Sequence, residues 1–173
     1  MLEALIFVVF PFCMVFAAVS DMLSMTIANR VAVVLVATFA VVAPLTGMDW
    51  AHYGWHFAAG GLVLLVTFAL FALGGMGGGD AKLMSATALF LGFNVHLVEY
   101  LVISAFLGGV ITVAILKYRN SALAVFTSRN MFLRHFADDA VGVPYGIALG
   151  LGGLVAYPNS PLVVWALERL ATN

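Results

Sequence analysis

Six stretches of this chain carry no aspartate, glutamate, lysine or arginine: residues 4–20, 31–48, 57–76, 83–98, 100–116 and 140–158. A bilayer core is about 30 Å thick, and a helix needs about 20 apolar residues to cross it. In lipid every backbone N–H and C=O must be satisfied internally, which leaves helices or closed barrels. Apolar runs of this length favour helices. Charged residues make up 9% of the chain, against about 25% in soluble domains, and the mean hydropathy is +1.13. The expected fold is all-α: a polytopic membrane protein with about six transmembrane helices, forming one integral membrane domain over residues 1–173. The fourth stretch is the shortest and contains Gly92, Asn94 and His96. The last residues, NSPLVVWALERLATN, suit a half-span or an interfacial helix. Residues 1–20 carry Glu3 alone and no basic start, so they read as a retained first span rather than a cleaved signal.

Lysine and arginine set the orientation, because cytoplasmic loops are enriched in them. With the N-terminus outside, the inner loops hold Arg30, Lys82, Lys117, Arg119, Arg129 and Arg134, and the outer side holds Arg169. Trp50, Tyr53, Trp55, Tyr100 and Tyr157 then fall at outer boundaries and Tyr118 at an inner one, as aromatic belts require. The polar segment 117–139 becomes a cytoplasmic basic loop, or an amphipathic helix on the inner leaflet. A net charge of −1 gives no basic field for nucleic acid. Cys13 is the single cysteine and reads as a small buried hydrophobe.

Five aspartates remain to be placed. Asp49 reads as solvated on an outer loop, and Asp138 and Asp139 as a charged helix start before the sixth span. Asp21 ends the first span and Asp80 precedes the fourth, so both lie at the cytoplasmic face. Ionisable groups at membrane depth are costly and point to function. Singly, Asp80 could cap a helix and Asp21 could sit in a wet loop. Together they form a candidate dyad, in which one carboxyl holds a proton while the other acts as base, able to activate water against a peptide carbonyl.

The run GGMGGGDAKL, residues 74–83, strips side chains from the backbone ahead of Asp80. Glycine admits another backbone at close range; the simpler reading is helix packing through small residues. Asp-Ala-Lys after the glycines does not fit a phosphate-binding loop, and Met76 and Asp80 break the dinucleotide-binding register. Lys82 could neutralise charge near Asp80, hold a substrate carbonyl, or snorkel to the interface. His52 and His56 have metal-binding spacing, but no third ligand lies nearby in sequence, so no metal is expected. No other cofactor is expected either.

Gly77-Gly78-Gly79-Asp80-Ala81-Lys82 resembles the GxGDxK signature of GxGD membrane aspartyl proteases, specifically the type IV prepilin peptidases. Asp21, Ile27 and Asn29 resemble the family's D-x5-I-P-N motif, with Ala28 where the proline stands. Val143-Pro144-Tyr145-Gly146 resembles its late Pro-aromatic-Gly turn. The chain is similar to the short, peptidase-only CpaA/TadV-like type linked to tight-adherence (Flp/Tad) pili, since it has no paired-cysteine insertion. The resemblance implies Asp21 and Asp80 as catalytic residues. Gly77, Gly79, Lys82, Asn29, Pro144, Tyr145 and Gly146 would bind substrate or support the site. It implies cleavage of a short basic leader from a prepilin or pseudopilin at the cytoplasmic face of the bacterial inner membrane, without N-methylation. The competing reading is a cation- or proton-coupled transporter using the same aspartates.

Overall fold

The structure, a computed structural model, describes residues 1–121 and 142–172. Among them there are seven α-helices, one 3-10 turn and no strand. The helices are α1 (Leu2–Ser24), α2 (Asn29–Leu45), α3 (Trp50–Ala72), α4 (Gly78–Leu91), α5 (Val95–Arg119), α6 (Gly146–Ala156) and α7 (Pro161–Ala171). The chain is a multi-pass membrane protein: α1, α3 and α5 are long and apolar enough to cross, and α6 with α7, bent by 45°, makes a fourth candidate. The other two expected spans are shorter. α2 has 17 residues and α4 has 14, about 26 and 21 Å at 1.5 Å per residue.

The expected fourth stretch, 83–98, is in fact divided. Gly92 takes a positive φ of 72° after α4, a conformation that glycine adopts without steric cost. Asn94 then starts α5: its side chain accepts from the Leu97 N–H at 3.1 Å and donates to the Leu91 carbonyl at 2.7 Å. Val95–Val98 therefore belong to the next helix. What remains, α4, is buried nearly all round from Ala81 to Leu91, as a helix apolar on every side must be. It runs through the middle of the bundle. Gly60 of α3 lets the chains close, with the Ser85 hydroxyl donating to its carbonyl at 2.8 Å. Phe10, Phe39, Phe90 and Tyr157 form the aromatic centre, Phe10 stacking on Tyr157 at 3.9 Å.

On α1 the buried residues Ile6, Phe10, Met14, Ala17 and Asp21 follow one helical stripe. Asp21 is thus the polar end of the core face, while Val8, Phe12 and Val19 turn outward. Cys13 is buried. Asp49 is not simply solvated: its carboxylate caps α3, accepting from the Ala51 N–H at 2.9 Å, a favoured role for aspartate. Ser160 and Pro161 likewise start α7. The cytoplasmic-loop or interfacial-helix expectation for 117–139 meets α5 up to Arg119; residues 122–141, with Asp138 and Asp139, lie outside the described residues.

Ala28, where the resembling motif has proline, is the N-cap of α2 with φ −64°. That is the angle a proline ring imposes. Ala28→Pro should therefore raise stability by about 0.4–1 kcal/mol, through a less flexible unfolded chain. Thermal denaturation in detergent checks this; a lower midpoint would show that the loop needs freedom at this position.

Candidate active site

Asp21 and Asp80 reach the same space from two helix ends. Asp21, 6% exposed, closes the buried face of α1. Its Oδ2 accepts a hydrogen bond of 2.6 Å from the Gly146 N–H at the start of α6. Glycine is required there, because a Cβ at 146 would lie 2.8 Å from Asp21 Cβ and 2.9 Å from Ile27 Cδ1. Asp80 is the third residue of α4, and its carboxylate reaches back to the N–H of the N-cap residue, Gly77. This is the carboxylate half of a capping box, so Asp80 supports the helix start from within the first turn rather than as the cap itself.

Both aspartates line a cavity of about 510 Å³, closed by the Gly74–Gly77 loop, Met25, Thr112 of α5, Val143 and Tyr145. Their charges are close enough to act on each other. The glycine run divides its work. Gly74, φ 76°, turns the chain after α3. Gly79 lets the loop between α1 and α2 come close, with Ile27 Cβ 3.1 Å and its carbonyl oxygen 3.4 Å from where a side chain would begin. The backbone admitted at Gly79 is therefore the chain's own. Ile27 touches both Gly79 and Gly146 and so ties the two aspartate-bearing helix ends to α6.

Residues 8–113 match the profile of the type IV leader peptidase family. The chain belongs to that family. The match contains both Asp21 and Asp80 and ends before Tyr145. The prepilin leader peptidase/N-methyltransferase of Bacillus subtilis (strain 168) is 28% identical over 150 residues, which cover 87% of this chain and 54% of that protein. The chain thus spans about half the length of this curated relative. No solved structure matches it.

Against this family background the remaining site residues separate into two groups. Gly77 and Tyr145 line the cavity with the aspartates. Gly79, Gly146, Pro144, Asn29 and Lys82 are not part of its wall. Lys82 points away from Asp80, as two positions apart on a helix must. Its Nζ donates to Asn29 Oδ1 at 2.8 Å, in a groove with Val33, Val36 and Leu64. It joins the starts of α2 and α4. His56 is buried, with Nδ1–H donating to the Leu89 carbonyl at 2.7 Å. With His52, Trp55 and Asn94 it lines a separate cavity beyond the other end of α4. Among the described residues no three His, Cys, Asp or Glu side chains gather as a metal site.

Met25, Thr112 and Gly108 carry parts of the site that the sequence reading did not single out. Met25 has the left-handed φ of 52°, a conformation with no local sequence signal at methionine. Thr112 had one: it is a hydroxyl in an apolar run, one turn after Gly108.

Proposed function

We propose that this chain is a membrane-embedded aspartyl endopeptidase that removes the short basic leader of prepilins or pseudopilins, of the Flp/Tad type, at the cytoplasmic face of the inner membrane. The observation that carries this reading is that Asp21 and Asp80, from separate helix ends, face one cavity. Two carboxylates at close range share a proton more readily than both ionise, so one serves as base and the other as acid. The base takes a proton from water as the water oxygen attacks the peptide carbonyl. The acid form then protonates the leaving nitrogen. The family match and the relative's printed name support the substrate class. The six-to-one division of lysine and arginine supports an outside N-terminus, and with it an inward-facing cavity.

The test is co-expression with a Flp-type prepilin. The precursor is expected to be converted to mature pilin, without added mass on its new N-terminus. Uncut precursor would return the aspartates to the transporter reading, and a product heavier by one methyl group would add a second activity. Orientation is checked separately with single cysteines at Ser121 and Gly54 in a Cys13→Ser background. Gly54 should label in intact cells and Ser121 only after permeabilisation; the reverse would place the cavity outside.

A further inference from the structure

Four side chains in the cavity wall carry oxygen: Asp21, Asp80, Thr112 and Tyr145. The Thr112 hydroxyl is committed, donating to the Gly108 carbonyl at 2.7 Å. The Tyr145 hydroxyl makes no hydrogen bond among the described residues, and it is not sealed in the interior as Tyr100 Oη is. Its ring is held in place by the missing side chain of Gly108: a Cβ there would overlap the ring edge and lie 2.5 Å from Oη. The phenol is also within electrostatic range of Asp80. It is a positioned, uncommitted donor on a residue that lines the same cavity as both carboxylates.

Peptide hydrolysis needs such a donor. When the water oxygen bonds to the carbonyl carbon, the C=O π pair moves onto oxygen. The base carboxylate meanwhile holds the water's proton. Charge that develops on the carbonyl oxygen is stabilised most by donors already in place. We propose that Tyr145 donates a hydrogen bond to the carbonyl oxygen of the scissile peptide as it becomes tetrahedral. The phenol keeps its proton throughout. On collapse the electron pair returns to re-form C=O, the C–N bond breaks, and the leaving nitrogen takes its proton from a carboxyl. This assignment rests on the aspartyl-protease reading. It makes Tyr145 a catalytic residue and Gly108 the residue that positions it. Packing alone would not require the hydroxyl, since phenylalanine fills the same space.

The experiment measures kcat and KM of the purified full chain on a Flp-type prepilin, for wild type, Tyr145→Phe, Gly108→Ala, Tyr100→Phe and Asp80→Asn. Tyr145→Phe should lower kcat by roughly 10²–10³, the loss seen when one oxyanion donor is removed. KM, thermal midpoint and the shape of the pH–rate profile should stay near wild type. Gly108→Ala, which displaces the ring, should lower kcat comparably, and combining it with Tyr145→Phe should add little. Tyr100→Phe should keep full activity, showing that the effect belongs to the cavity phenol. If Tyr145→Phe stays within a few-fold of wild-type kcat while Asp80→Asn is inactive, the tyrosine assignment fails and the aspartyl reading stands. A raised KM at unchanged kcat, or a displaced pH limb, would also overturn it. If wild type leaves the prepilin uncut, or Asp80→Asn cuts it, the reading itself fails and takes the assignment with it.

Discussion

Asp21→Asn and Asp80→Asn should each abolish leader cleavage, while protein level and membrane insertion should remain near normal. Asparagine keeps the size of the side chain and still accepts from the Gly146 or Gly77 N–H, but it cannot act as base. The double variant should be no worse than either single one, because groups acting as a unit are non-additive. Glutamate at either position retains charge but moves the carboxyl by one C–C bond, and about 1 Å of misplacement can cost roughly 100-fold. Both Glu variants should therefore be nearly inactive, whereas a cation site would tolerate them. Asp49→Asn is the matched control: asparagine caps a helix as well as aspartate does, so α3 starts normally and cleavage continues. The measurement is the precursor-to-mature ratio, normalised to enzyme abundance. Substantial cleavage by either Asn variant removes that residue from the mechanism.

The second large effect is expected away from any ionisable group. Gly146→Ala would place a methyl 2.8 Å from Asp21 Cβ and 2.9 Å from Ile27 Cδ1. Asp21 Cβ is fixed to the α1 backbone and cannot swing aside as a chain terminus would, so either α6 or the end of α1 must move. Overpacking of this kind costs about 1–3 kcal/mol. The accompanying displacement of Asp21 should reduce cleavage by roughly 100-fold or more. Gly109→Ala, where a Cβ meets nothing within 4 Å, is the contrast and should leave the rate unchanged and the stability no lower, since alanine is the better helix former. If the two alanine variants behave alike, the close contact at 146 has no bearing on catalysis.

The sequence made the helices and the two aspartates visible for simple physical reasons. Uncharged runs have one low-cost destination, and a carboxylate at the edge of such a run is conspicuous. Where helices stop was harder to read. One apolar stretch, 83–98, holds the end of α4 and the start of α5, because the break depends on a single positive φ at Gly92. Roles fixed by distant contacts were not legible either. Lys82 has only its neighbours in sequence to suggest a partner, and its partner is Asn29, far earlier in the chain. The importance of Gly108 comes entirely from a ring 37 positions later. Asp49 is the opposite case: it is exposed as expected, and an aspartate just ahead of an apolar helix is also a local capping signal, legible there without any distant contact.

The hydrogen bond from the Gly146 N–H to Asp21 joins the first and last motifs of the chain through a main-chain atom. No side chain at position 146 supplies it, so an alanine scan cannot delete it. Such a scan reports crowding at 146 and nothing about the bond. Proline is the natural residue that removes the donor, and backbone amide-to-ester exchange removes it without adding bulk. Deep mutational profiles of chains built this way will assign position 146 to packing, although the same position also anchors a carboxylate of the site.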